Sequence, residues 1–391
     1  MAEKADTGNR REGLSEAKRR LLEKRLRGRA AEAPGIARRP EGAAVPATPY
    51  QAAIWFLNRL VGDTAAYNLH AALEIRGCLD LEDLAAAWAT VVGRHESLRL
   101  LIHARQDGLY LDFDAVTGIA LEHFSVPGDG RESAFAAAAG FAGRPFDMQS
   151  GPLCRAGVFT MRPDAHLFVL AVHHSVCDEH SVEILLRDLL EDFGGRRREE
   201  KSASRSDFGD YAHALPRRLA ATRDGDLDYW RATLEGLPER LDLPADHPRE
   251  KRASYRGALY VRECPGLLSA RRSDVAGTAR EDLYANGLAA CLLTLSRYCG
   301  ADDLAVGSPV SLRDSTPVAN MVGMFVNPVV VRTPSAERGS VADYVSAVRH
   351  RVNEALEHRN LPFETLVSEL APHRDATHNP FFQVMFVLET R

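Results

Sequence analysis

The segment LFVLAVHHSVCDEHSVEILLRDLL, residues 167–190, limits the possible folds more than any other stretch of the chain. An unbroken apolar run stops at His173-His174, a short polar turn follows, and an apolar helical repeat begins at once. A strand without polar alternation has to be buried, and a buried strand that hands over directly to an amphipathic helix belongs to a layered α/β structure. The alternation recurs on both sides. YNLHAALEIRG reads as a strand, and LDLEDLAAAWATVVGRH as a helix with Leu81, Leu84, Ala85, Trp88 and Val92 spaced along one face. After the polar stretch FGGRRREEKSASRSD, YANGLAACLLTLSRYCG reads as a buried helix and LAVGSPV and MFVNPVVVR as strands. VADYVSAVRHRVNEALEHR then makes a long amphipathic helix. Two α/β halves fit the 391 residues, with a leader over 1–45, an N-terminal half over 46–193, a connection over 194–207 and a C-terminal half over 208–391.

Composition removes several classes of function. No run approaches the roughly 18 uninterrupted apolar residues of a membrane span, and the charged start MAEKADTGNRREG has no secretory apolar core. The six cysteines form no CxxC pair, which argues for reduced thiols in a cytoplasmic protein rather than a disulfide framework or a zinc cage. A net charge of −5 gives no sign of nucleic-acid binding. Residues 1–45 differ, with twelve basic against seven acidic side chains. Within them LSEAKRRLLEKRLRG reads as a short helix capped by Ser15, best taken as a linker or a partner-docking element because its apolar face is only a few leucines wide.

Three chemical readings compete for HHSVCDEH. Metal binding by His173, His174, Asp178 and His180 is disfavoured, since adjacent residues at a strand end point to opposite faces. A Cys177 nucleophile would need a positive neighbour, and Asp178 and Glu179 act the other way. A histidine acting as base or positioning group, with Asp178 paired to an arginine, asks least of the geometry. For an isolated HHxxxD, hydrogen-bonded histidines ending a strand beside an N-cap aspartate, with no chemistry, would be the better explanation.

The motif is not isolated. HHSVCDE resembles the HHxxxDG motif of the condensation domains of nonribosomal peptide synthetases, and its surroundings match in order. PATPYQAAIWFLNRL resembles that family's PLSxAQxRLWFL, RHESLR its RHExLR, and DYWRATLEGLP its YWxxxLxGLP. RPFDMQSGPLCRAGVF and SYRGALY fall where similar family segments do, and DDLAVGSPVSLR and VGMFVNPVVVR resemble DxxVGxPxxxR and IGxFVNxLxLR. NLPFETLV and NPFFQVMFVLE close the chain in the family's order.

The resemblance implies two chloramphenicol acetyltransferase-like lobes, mixed sheets flanked by helices, around a central tunnel. It implies an acyltransferase that joins a donor acyl or peptidyl thioester to the amine of an acceptor aminoacyl thioester; a hydroxyl acceptor would give an ester. Both substrates would ride on phosphopantetheine arms of upstream and downstream carrier proteins within a larger synthetase, with no cofactor or metal bound directly and no nucleic acid or membrane as partner. His174 is then the catalytic residue. His173 and Asp178 shape its loop, and Asp178 pairs with Arg94 or Arg99. Ser311, Arg313, Gly323 and Asn327 are expected at the lobe junction. Three positions depart from the pattern. Glu179 replaces the motif glycine, where it would lose a residue tolerant of φ > 0 and place a carboxylate within reach of His174. The chain stops at VMFVLETR, ahead of the family's final segment, so an incomplete C-terminal lobe is expected. Ala53 stands where the opening motif usually has arginine. An epimerisation domain shares HHxxxDG but needs a second proton-transfer group, for which the C-terminal half offers no clear candidate. The alternative from another class is a catalytically impaired scaffold that recruits a carrier protein or a tailoring enzyme.

Overall fold

The computed structural model describes residues 36–62, 64–126, 130–195, 206–247, 257–264, 280–313, 316–334, 339–371 and 378–389. The leader helix and most of the 194–207 connection lie outside the described residues. In chain order the elements are β1 (Val45–Pro46), α1 (Pro49–Val61), β2 (Asn68–Arg76), α2 (Leu81–Arg94), β3 (Leu101–Arg105), β4 (Gly108–Asp112), β5 (Leu121–Ser125), α3 (Arg131–Ala142), β6 (Cys154–Arg162), β7 (Ala165–His173) and α4 (Glu179–Phe193). Then follow α5 (Phe208–Leu234), α6 (Arg280–Cys299), β8 (Asp303–Ser311), β9 (Val326–Pro334), α7 (Val341–Glu357) and α8 (Phe363–Leu370), with a single helical turn Thr316–Ala319 after β8.

The first sheet runs β2-β7-β6-β5, so β7 is flanked on both edges. Its neighbours β2 and β6 are antiparallel to it, while β5 is parallel to β6. Leu167 to Val172 are each no more than 2 % exposed, which explains why the sequence there shows no alternation. Each such side chain contributes roughly 1.5–3 kcal/mol by leaving water, and the cluster fixes where the strand must end. A small sheet β1-β4-β3 and a two-stranded β8-β9 ladder complete the described strands. Gly307 in the middle of β8 also exchanges backbone hydrogen bonds with Val384 and Phe386 of the C-terminal segment.

Most helices begin at a capping side chain that the sequence supplies. Thr48 and Gln51 form a reciprocal capping box at α1, Asp80 accepts from Glu82 and Asp83 at α2, and Asp178 accepts from Ser181 at α4.

The largest core cluster packs the first sheet and its helices, but it crosses the expected boundary. It takes in Phe208, Tyr211, Ala212 and Leu215 of α5, and Leu312, Val318, Met321, Val322, Met324 and Phe325 from the connection between β8 and β9. Two smaller clusters lie in the rest of the chain, one under Trp230 and Phe363 and one under Leu292 and Val348. A Cβ at Gly323 would lie 2.2 Å from the Phe208 ring, so only glycine lets this connection press against the start of α5. The β8–β9 connection is thereby brought against the turn that follows β7.

Candidate active site

The site is the turn between β7 and α4. Its entry is fixed by the sheet: the His173 N–H donates to the Leu153 carbonyl at 2.8 Å, and the His174 N–H to the Tyr67 carbonyl at 2.8 Å. The pleat then sends the two imidazoles to opposite sides. His173 is fully buried, whereas His174 is half-buried. The turn closes with Val176 N–H on the His173 carbonyl at 3.1 Å and Cys177 N–H on that of His174 at 3.4 Å.

The two rings carry their protons on different nitrogens. His174 Nδ1 lies 2.9 Å from the Cys177 carbonyl, which can only accept, so a proton is on Nδ1 and Nε2 is left without a hydrogen bond among the described residues. His173 Nδ1 lies 3.3 Å from the Ser175 backbone N–H, which can only donate, and 2.8 Å from the Ser175 hydroxyl. Its proton is therefore on Nε2, which is buried without a hydrogen-bond partner. Burial, and then the neighbouring His174, push the His173 pKa down to about 4, so this ring stays neutral at physiological pH. It is a packing group beside Phe146 and Tyr67, with ring centroids 6.1 and 6.3 Å away.

Asp178 is the hub of a buried polar cluster. It caps α4 through the Ser181 N–H at 2.8 Å and receives the Ser181 hydroxyl at 2.6 Å and the Phe325 N–H at 3.2 Å. Its counter-charge is Arg313, whose Nη2 reaches both carboxylate oxygens at 2.9 and 3.1 Å, with the two side chains only 6 % and 2 % exposed. Arg313 Nη1 donates to the carbonyls of Val318 and Met321 at 2.6 and 2.7 Å, and its guanidinium lies 4.3 Å above the Phe325 ring. The Gly323 N–H donates to Ser181 Oγ at 3.1 Å. One carboxylate thus ties the turn after β7 to the connection after β8.

This corrects the expected pairing of Asp178 with Arg94 or Arg99. Arg94 meets Asp192 at 2.7 Å and Asp188 at 3.6 Å. Those aspartates lie ten or more residues along α4 from Asp178, about 15 Å at 1.5 Å per residue. Arg99 instead folds back on the open carbonyls at the end of α2, Val92 at 2.6 Å and Gly93 at 2.8 Å. RHESLR therefore braces α2 against α4 and does not support the motif directly. Its His95 forms a buried pair with Asp188 at 2.9 Å, which no local pattern in the sequence signals.

The other singled-out residues are placed as follows. Glu179 is the exposed first residue of α4 with no positive φ, so the position does not demand glycine's backbone. No hydrogen bond or ion pair joins it to His174 among the described residues. Ser311 caps the turn by accepting from the Arg313 N–H at 3.2 Å. Asn327 bridges β9 to the start of α8, donating to the Arg359 and Leu361 carbonyls and accepting from the Phe363 N–H. Cys177 is buried, and burial followed by the Asp178 charge pushes its thiol well up, which removes it as a nucleophile. No group of metal-ligating side chains occurs among the described residues.

Two features escaped the sequence reading. Gln51 Nε2 donates to the Ser175 carbonyl at 2.9 Å, inside the turn itself. Its signal was legible, because Thr48-Pro49-Tyr50-Gln51 has the T-x-x-Q spacing of a capping box. A cleft of about 300 Å³ opens where Thr48, α5 and residues 360–362 meet, and neither His173 nor His174 lines it.

The turn after β7 thus joins a buried aspartate–arginine pair to a half-buried histidine whose Nδ1 is engaged. The family model of the condensation domain matches residues 42–391. The chain belongs to the condensation domain family. This condensation domain is 34% identical over 370 residues to the isonitrile lipopeptide synthase of Mycobacterium tuberculosis, covering 89% of this chain and 14% of that protein. It is 33% identical over 389 residues to phosphinothricin tripeptide synthetase PhsC of Streptomyces viridochromogenes, covering 96% of this chain and 36% of the relative. The chain thus spans well under half the length of these curated relatives. Among solved structures it is similar to the X-domain in a complex with OxyB from teicoplanin biosynthesis, at 28% identity and a TM-score of 0.74, over 90% of this chain and 78% of the other. Among the described residues no helix is long and apolar enough to cross a membrane.

Proposed function

We propose that this condensation domain forms an amide bond between two carrier-bound substrates, with His174 as the catalytic residue. The supporting observation is the Nδ1 bond to the Cys177 carbonyl, which leaves Nε2 as a base on the open side of the ring. The acceptor amine attacks the donor thioester carbonyl; a C–N bond forms and the C–S bond breaks. Nε2 orients the amine and takes its proton, and that proton ends on the departing thiolate. A hydroxyl acceptor would follow the same course to an ester. Much of the rate comes from holding two tethered reactants together, an entropy contribution that can reach several kcal/mol.

The substrates arrive on phosphopantetheine arms, so the partners are an upstream donor carrier, a downstream acceptor carrier and the other modules of a synthetase. The chain would divide into two lobes at 194–207, and the packing of Phe208, Tyr211, Leu312 and Phe325 into the core of the first supports close contact between them. Six free thiols accord with a reducing cytoplasm.

The test is to load donor and acceptor carrier proteins with aminoacyl groups, add the protein, and follow the acceptor by intact mass. Transfer by the wild type that falls at least about 100-fold in His174→Ala is expected for a lost general base. Undiminished transfer by His174→Ala removes the proposal. A silent wild type with an active Glu179→Gly would turn the reading toward a recruiting scaffold.

A further inference from the structure

The turn that carries His174 is short, and its own bonds do not fix its orientation. The peptide between Ser175 and Val176 lies at its centre: the Val176 N–H closes on the His173 carbonyl, and the Ser175 carbonyl points the other way. That carbonyl is received by Gln51 Nε2 at 2.9 Å. Gln51 has no freedom to swing, since its Oε1 accepts from both the Thr48 N–H and the Thr48 hydroxyl at 3.1 Å, and the Thr48 hydroxyl accepts from the Gln51 N–H. All three residues are at most 1 % exposed. The Oε1 bonds also settle which end of the amide faces Ser175, because the Thr48 N–H can only donate.

Fixing this peptide plane fixes the position of the Cys177 carbonyl two residues on, and that carbonyl holds the proton on His174 Nδ1. From this geometry we infer that Gln51 is a positioning residue for the condensation reaction: its amide N–H group sets the turn that aims His174 and selects its Nδ1–H tautomer. The inference rests on the reading of His174 as the catalytic base, and it adds a residue from the far N-terminal end of the fold to that machinery.

Gln51→Glu tests it with almost no change in shape. The new side chain still accepts from Thr48, but its ionised form cannot donate to the Ser175 carbonyl and repels it. When protonated it donates again. The ratio of variant to wild-type kcat is therefore expected to be depressed about 10- to 100-fold at pH 8, with KM little changed, and to climb toward unity as the pH falls toward 5. Taking the ratio removes any pH effect common to the two proteins. Gln51→Ala should be depressed at every pH without the climb. Thermal melting of each variant checks that the fold persists.

A second readout does not need activity. The 15N imidazole signals of His174, assigned by their loss in His174→Ala, should report Nδ1–H in the wild type and move toward Nε2–H in Gln51→Ala. A tautomer change alongside an inactive wild type would support the positioning role while removing the proposed reaction. A ratio that does not vary with pH, or an unchanged tautomer in Gln51→Ala, would overturn the inference.

Discussion

Arg313→Ala is the sharpest perturbation of this architecture. The guanidinium is the counter-charge of Asp178 in a site where both side chains are nearly excluded from water. Without it Asp178 keeps the Ser181 N–H, the Ser181 hydroxyl and the Phe325 N–H, but its charge is uncompensated. Breaking a buried pair from one side costs roughly 3–5 kcal/mol, a large part of a domain stability of about 5–15 kcal/mol. The carbonyls of Val318 and Met321 lose their donor as well, so the loss should fall toward the upper end. The assay is urea unfolding followed by tryptophan fluorescence on Arg313→Ala, Asp178→Asn and the double variant. Once Asp178 is neutral, removal of Arg313 should hurt less, giving a coupling energy of about 1–3 kcal/mol between the two positions. Arg94→Ala is the control: its partners lie at the other end of α4, and its effect should add to that of Asp178→Asn within about 0.5 kcal/mol. Additive behaviour of Arg313 with Asp178, or coupling of Arg94 with Asp178, would refute the clamp.

Two buried titratable groups should give opposite pH dependences. His173 falls from an unfolded value near 6.5 to about 4 in the fold, so the unfolded chain binds the extra proton between these values. Stability held above pH 6.5 is lost as the pH drops toward 4, by about 3 kcal/mol at 1.36 kcal/mol per pH unit; His173→Gln should show a smaller loss between urea midpoints at pH 7.5 and 4.5. Glu364 has one carboxylate oxygen buried without a partner, and burial raises it from 4.5 to about 7. Here the folded state binds the extra proton, so stability is full below pH 4.5 and is lost as the pH rises through 7. Glu364→Gln should therefore recover about 3 kcal/mol at pH 8.5 and nothing at pH 4.5 in the same melts.

The parts of this molecule written in local patterns were legible. The apolar run of β7, the spacing of α2 and the helix that starts after Asp178 are each set by residues adjacent in sequence, and hydrophobic period decides them. The partner of Asp178 was not, because the choice among arginines depends on how distant segments stack. Arg94 and Arg99 stood in a recognisable motif, but α2 runs alongside the far half of α4. Arg313 lies 135 residues after Asp178 and arrives only because Gly323 admits the Phe208 ring. No periodicity encodes that contact. The Gln51 bond falls between these cases: its capping box is local and readable, while the Ser175 carbonyl it serves is 124 residues away.

The same separation of local from long-range causes bears on Glu179. At the first position of α4 its backbone is helical, and a negative side chain there is favoured by about 0.3–1 kcal/mol through the exposed N–H groups of the first turn. The glutamate therefore does not strain the fold. His174 is held by the Tyr67 carbonyl, by the Cys177 carbonyl behind Gln51, and by the Asp178–Arg313 clamp at the exit of the turn. None of these passes through residue 179. What remains for the glutamate is the charge of an exposed carboxylate next to a half-buried imidazole, screened by water and salt. Glu179→Gly should then change transfer by a small factor, sensitive to ionic strength, whereas His174→Ala removes the proposed base.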